Sequence, residues 1–374
     1  MEDVRRYQVQ RIRWADLSRS WSGRRMLGDR ARAYIALVGL ATGAIVSSTS
    51  PSLAATSGIP PCTLSEAAGA TPTPAPTDRI IDVFGHPNGR NPGPIVVAPD
   101  GSAWIGESGR VAHITKSGDY GETSIPFPYA DGLAVNRDGD LWIASAQSNA
   151  IARMSSKGNL NVYKIPRGNV GPAVVVATPD GSVWFSEEGA IGRWTSVGGF
   201  KFFDISDQTS SASSIVVGSD GSIWLADGSS KIRRLTPSGK LMEYSTPQPN
   251  AQVGSLGVGA SHDIWFSDAR AKRIGYISES GVITELPQIL RYPPIDLAIG
   301  RKGEVWFSER DDNALGRIDA TGTVTEYQID LSVDGMAAAA DGTLWLTGDT
   351  DKIVKIDPSG SVTRFSTFTG EFCK

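Results

Sequence analysis

From about residue 79 onward, apolar and polar positions alternate in short bursts separated by glycine turns, and nothing recurs at the spacing of a helix. The bursts come in sets of four. A short apolar run opens each set, as in Ile95-Val96-Val97 or Leu133-Ala134-Val135. An Asp-Gly pair follows at 100–101, 138–139, 180–181, 220–221 and 341–342, a strong local signal for a hairpin. The second burst carries a tryptophan, as in Val183-Trp184-Phe185 and Val305-Trp306-Phe307. A third follows a polar loop, as Ile191-Gly192-Arg193, Ile274-Gly275-Tyr276 or Leu315-Gly316-Arg317. After Ser-Gly turns at 238–239, 280–281 and 359–360 comes a fourth, amphipathic burst such as Thr323-Val324-Thr325-Glu326-Tyr327.

The tryptophans set the register. Trp104, Trp142, Trp184, Trp224, Trp265, Trp306 and Trp345 recur at intervals of 38 to 42 residues, which marks a repeat architecture. Four antiparallel strands per repeat and seven repeats predict an all-β fold, a seven-bladed β-propeller of four-stranded blades over residues 79–374. The tryptophans are expected between adjacent blades, each burying ~150–250 Å². First-strand starts, second-strand ends and the connections between blades then share one face, and the Asp-Gly turns share the other. Ile80-Ile81-Asp82-Val83-Phe84 also reads as a fourth strand, so it competes with Ser361–Phe365 for the edge of the last blade.

The amino terminus differs in kind. Residues 1–32 hold nine arginines and four acids, the apolar run Ala33–Val46 follows, and Ser52-Leu53-Ala54 offers a small-residue cleavage site. That order is expected of an export signal over residues 1–54. Fourteen apolar residues make a helix of only ~21 Å, short of the ~30 Å hydrocarbon core, which disfavours a permanent anchor. Export could start from Met26 as a Sec-type signal or use Arg24-Arg25 as a twin-arginine motif; an uncleaved, signal-anchored form is the other alternative. Residues 55–78, with Thr71-Pro72-Thr73-Pro74-Ala75-Pro76-Thr77, read as a stiff, solvated linker. The expected location is secreted, periplasmic or otherwise extracytoplasmic. Cleavage would take the net charge from −4 to −9 by removing nine bases and four acids, and an acidic surface argues against nucleic-acid binding. The two cysteines, Cys62 and Cys373, flank the blades, and export makes a disulfide between them the expectation.

Trp184-Phe185-Ser186-Glu187 with Ile191-Gly192-Arg193, and Trp306-Phe307-Ser308-Glu309 with Asn313 and Leu315-Gly316-Arg317, resemble the streptogramin B lyases over residues 79–372. The resemblance implies a seven-bladed propeller that opens a cyclic depsipeptide antibiotic at its ester by elimination, with a magnesium ion. It also implies a histidine starting the innermost strand of each of the last two blades. Counted from the tryptophans, those positions hold Ile295 and Asp334; Ser332 replaces an acid before the second, and Asp349 keeps a carboxylate at the end of the last second strand. Elimination needs a proton acceptor and a proton donor tuned near neutrality, and isoleucine supplies neither.

Other residues compete for roles. Three positions after the repeat tryptophans stand Glu107, Ser145, Glu187, Asp227, Asp268, Glu309 and Gly348. This ring of acids reads either as a cation site or as structural partners of Arg153, Arg193, Arg234, Arg317 and Lys355 on the third strands. Asp131 and Asp334 lie nearer the axis and, with Asp349, form the expected metal site for Mg²⁺ or Ca²⁺; Glu309 joins them as a ligand-binding residue. Asp334, Asp349 and His86 are the catalytic candidates; His113 reads as a partner of Glu107, and His262 as a turn residue on the opposite face. No nucleophilic triad, phosphate-cradling loop or zinc-ligand spacing is present. Two functions follow: a monomeric exported propeller binding a small molecule, glycan or peptide at its axial funnel, or a metal-dependent lyase or ester/lactone hydrolase. Fold alone cannot choose between them.

Overall fold

The Asp-Gly hairpins set the blade geometry. Asp100, Asp180, Asp220 and Asp341 each accept, through Oδ1, the backbone N–H two residues on, at 2.9 to 3.0 Å. The glycine between takes a left-handed φ of 77° to 92° in six of the seven blades, which an L side chain adopts only under strain. The computed structural model describes residues 65–66, 93–168, 171–205, 211–300, 303–309, 313–329, 331–348, 352–358 and 362–365. His86, Asp349, Cys62, Cys373 and the strand expected at Ile80–Phe84 lie outside them.

The described residues form seven antiparallel blades, each a meander from the axis outward. Blade 3 is typical, with strands Val175–Ala177, Val183–Glu187, Ala190–Thr195 and Gly199–Asp204. In blade 1 a single strand, Ala103–Ile114, takes the place of two; Gly109 (φ 72°) folds it where Gly189 (φ 70°) turns blade 3. The last blade is completed by its own carboxyl-terminal strand, Val362–Phe365. One pairing was not expected: Ser65–Glu66, inside the segment read as a linker, adds a fifth strand to blade 6 against Gln328 and Tyr327.

The tryptophans do pack between blades. Trp142 meets Val183 and Phe185 of blade 3, Trp184 meets Ile223 and Leu225 of blade 4, and Trp345 meets Ala103 and Ile105 of blade 1, closing the ring. Trp345 is fully buried, so its burial contributes to joining first and last blades. Polar contacts reinforce that seam: Lys116 Nζ pairs with Asp341 at 2.8 Å, and Thr347 Oγ1 donates to the Gly93 carbonyl at 3.0 Å.

The Trp-Phe and Gly-Arg motifs are two halves of one cross-strand arrangement. Phe185, Phe266 and Phe307 face Gly192, Gly275 and Gly316 directly, and a Cβ on any of these glycines would collide with the ring. Beside them, Arg193 lies over Trp184 at 5.2 Å and Arg317 over Trp306 at 5.5 Å.

Candidate functional site

Inner strands run from the face of the blade connections toward the Asp-Gly face. Their first residues therefore surround one end of the axis: Gly93, Asp131, Ala173, Ser213, Gly254, Ile295 and Asp334, each eleven residues before its tryptophan. The inner strand of blade 1 lies between those of blades 7 and 2, so Asp334 and Asp131 flank Gly93. In blades 5, 6 and 7 the inner strand bulges near its start, between Val253 and Leu256, Pro294 and Leu297, and Val333 and Gly335. Bulges re-aim side chains at such rims. Ile295 and Asp334 both sit within bulges, Ile295 half-buried with its carbonyl accepting from Ser267 Oγ at 3.3 Å, Asp334 exposed.

Asp131 is half-buried, and its Oδ2 accepts the Ala146 amide at 2.7 Å. Burial pushes its carboxyl above the usual carboxylate range, partly offset by that hydrogen bond. The contact explains why blade 2 tolerates Ser145 where five blades carry an acid. In blade 5 that acid, Asp268, accepts through Oδ1 from the amides of Gln252, Arg270 and Ala271 at 3.0 Å. It thus ties the hairpin between second and third strands to the chain entering the blade. In blade 6, Glu309 Oε1 accepts likewise from Tyr292 at 3.3 Å. Blade 2 makes the same tie from the other side, with Asp131 reaching back to the hairpin. Blade 7 shows the same exchange in sequence, Asp334 accompanying Gly348.

The acid ring is consequently interior. Glu107, Glu187, Asp268 and Glu309 are all buried. The expected pairing of these acids with Arg153, Arg193, Arg234 and Lys355 is not what forms, because those bases stand at the opposite end of each blade. Arg153 binds Asp140 at 2.6 Å, Arg193 binds Asp180 at 2.9 Å and Arg234 binds Asp220 at 2.6 Å, while Lys355 donates to the Lys116 carbonyl. The acids find other partners. Asp227 pairs with the buried Arg233. Among the described residues Glu187 has only Arg167 at 3.9 Å, with neither carboxylate oxygen hydrogen-bonded, and burial pushes its carboxyl up to about 7. His113, read as a partner of Glu107, instead stacks on Trp104 with ring centroids 4.1 Å apart, because it occupies the third-strand base position. His262 is in the blade 5 hairpin, as its sequence context indicated.

One axial carboxylate has no counterpart among the residues singled out from sequence. Asp296 Oδ1 accepts from Ser255 Oγ at 2.8 Å, and Oδ2 from the Met336 amide at 3.1 Å, so it spans blades 5, 6 and 7. It follows Ile295 within the bulge, and alignment by spacing alone gives no signal for it. Among the described residues no three His, Cys, Asp or Glu side chains gather closely enough to hold a metal ion.

The sequence matches the family model of the virginiamycin B lyase family over residues 77–251 and 205–371. No curated protein sequence matches the chain. Among solved structures, a streptogramin B lyase is 28% identical with a TM-score of 0.69, covering 73% of this chain and 96% of its own. Virginiamycin B lyase from Staphylococcus aureus is 28% identical, TM-score 0.68, over 73% and 97% of the two chains. A catalytically inactive histidine-to-alanine variant of that enzyme, solved with quinupristin, gives 27%, 0.68, 73% and 97%.

Proposed function

The chain belongs to the virginiamycin B lyase family, and from that premise we propose that it is an exported ligand-binding member rather than an efficient lyase. Its ligand is a small molecule, glycan or peptide held in the funnel where the inner strands begin, and a cyclic peptide of the streptogramin type is the first to test. The observation that carries this reading is the residue set at that rim. None of the seven strand-start residues is a histidine, and Ile295 and Asp334 stand where the family resemblance implies two. The two described histidines are engaged elsewhere, His113 against Trp104 and His262 in a hairpin of the other face. An isoleucine cannot move a proton, and the carboxylate of Asp334 stands in place of one of the two histidines that the family resemblance implies for elimination. The inactivity of a relative that has lost one histidine agrees with that chemistry.

The described residues do not assemble a donor set for a divalent ion, and the binding reading does not depend on one. Asp131 and Asp334 give the rim its negative charge, which favours a ligand with a cationic or amide-rich surface. Export rests on the amino-terminal pattern of residues 1–54.

The test is incubation of the purified protein with a streptogramin B, read by mass spectrometry, chromatography and calorimetry. Binding with an intact ring, weakened when Asp131 and Asp334 are both changed to Asn, supports the proposal. A linear product of unchanged mass would establish elimination, and a gain of one water would establish hydrolysis. Either at an enzymatic rate would overturn it, as would absence of binding across streptogramin, glycan and peptide panels.

A further inference from the structure

At the other end of the axis the inner strands of blades 2, 3 and 4 finish around a cavity of about 500 Å³, which His262 of the blade 5 hairpin also lines. Its polar wall is Asn136, Arg137, Thr178, Ser219 and His262. Among the described residues no aspartate or glutamate lines it, although the surrounding hairpins are rich in them. Asp140, Asp180 and Asp220 are drawn aside by Arg153, Arg193 and Arg234. The nearby Glu279 carboxylate accepts from the Ser219 hydroxyl. The ionisable groups left to the cavity are Arg137 and His262. Neither side chain makes an ion pair or hydrogen bond among the described residues, in a chain whose net charge is negative.

His262 is also in an unusual conformation. It holds the hairpin position that glycine fills in the other six blades, at φ 67°. A side chain in the left-handed region costs roughly 1–2 kcal/mol, and glycine would remove that cost. Strain retained at the mouth of a cavity is the kind that accompanies a site.

We propose that this mouth binds a small oxyanion, the phosphate or carboxylate group of a small molecule, between the Arg137 guanidinium and the His262 imidazole. The guanidinium presents paired N–H donors to two anion oxygens, and the imidazole, from a hairpin three blades further round the axis, supplies another N–H. The apolar ends of the inner strands, Val135, Ala177 and Val217, would take the remainder of the molecule. The site is independent of the funnel at the opposite face, since Asp131 begins the same inner strand that ends at Val135.

The test is titration of the full chain with inorganic phosphate, and separately with acetate, followed by NMR of the imidazole protons. Three histidines keep the spectrum simple, and H262G assigns the signal that matters. A saturable shift of the His262 signal is expected, phosphate or acetate moving it more according to which oxyanion the site prefers. R137Q should weaken that binding at least about tenfold, because the paired charge-assisted hydrogen bonds of the guanidinium are lost. H262G, titrated by calorimetry because the reporting imidazole is gone, should lose the binding while its denaturation midpoint rises, because the turn is relieved as the site is lost. An unmoved His262 signal, an equal shift of all three histidines, or undiminished binding in R137Q would each overturn the proposal.

Discussion

Asp296 and Ser255 meet across the boundary of blades 5 and 6, the hydroxyl donating to Oδ1 at 2.8 Å while the other carboxylate oxygen takes the Met336 amide of blade 7. One side chain thereby fixes three inner strands where each begins with a bulge. Hydrogen bonds to a charged group contribute about 1.5–3 kcal/mol each, and removing the acceptor leaves the donors to find water. Asp296→Ala should therefore lower unfolding stability by about 2–4 kcal/mol. Asp296→Asn, which retains one acceptor oxygen, should lose less. Urea unfolding of the two variants checks the order; equal stability of Asp296→Ala and the parent would show that the staple is idle.

Asp131 performs in blade 2 the tie that a second-strand acid performs in blades 5 and 6. Asp131→Ala should cost about 1–3 kcal/mol, the range for an acceptor lost from a partly buried hydrogen bond. Adding Ser145→Asp to Asp131→Ala should restore part of the loss, since the new carboxylate stands where Asp268 does its work. A double-mutant cycle measures the recovery, and a purely additive result would refute the exchange.

Glu187 makes stability depend on pH. Its carboxyl is raised from 4.5 to about 7 in the folded protein, so the folded state favours the protonated form. Stability is then highest below the unfolded value and falls as pH rises from about 4.5 through about 7, where the buried group must ionise. The full effect is roughly 3 kcal/mol at 1.36 kcal/mol per unit, the attraction to Arg167 being already contained in the folded value. Glu187→Gln should flatten this slope and exceed the parent in stability at pH 8. Chemical denaturation at pH 5 and pH 8 decides it, and an unchanged slope would rule out Glu187 as its source.

Gly316 lies beneath the Phe307 ring, with no room for a methyl group. Gly316→Ala should destabilise by about 1–3 kcal/mol or more through overpacking. Combining it with Phe307→Leu should recover part of that cost, because the smaller side chain clears the space, as Ile143 does opposite Ala152 in blade 2. Thermal melts of the single and double variants provide the comparison. A double variant less stable than the sum of its parts would contradict the pairing.

The blade architecture was legible in the chain because its causes are local. The Asp-Gly hairpins of five blades, and the alternating strands and tryptophans of all seven, each act over a few residues. The number, order and interior tryptophans of the blades follow from them. Family membership was equally legible, since the Trp-Phe and Gly-Arg motifs are one cross-strand contact written twice. The site was less so. Spacing from a tryptophan locates Ile295 and Asp334 at strand starts, but a bulge adds one residue, and the carboxylate that joins three blades belongs to the neighbouring Asp296.

Which charges meet was a matter for the tertiary structure alone. The sequence places an acid and a base in most blades, and a one-dimensional reading pairs them. The second strand is long enough to hold them at opposite ends, so bases such as Arg193 and Arg234 join the hairpin acids, while the ring acids Asp268 and Glu309 turn to backbone amides. The same holds for His262 and Arg137, more than a hundred residues apart and brought to one cavity only by closure of the ring. Strand period and turn chemistry are properties of neighbours along the chain; ion pairing and cavity lining depend on three-dimensional separation, which the packing of blade against blade decides.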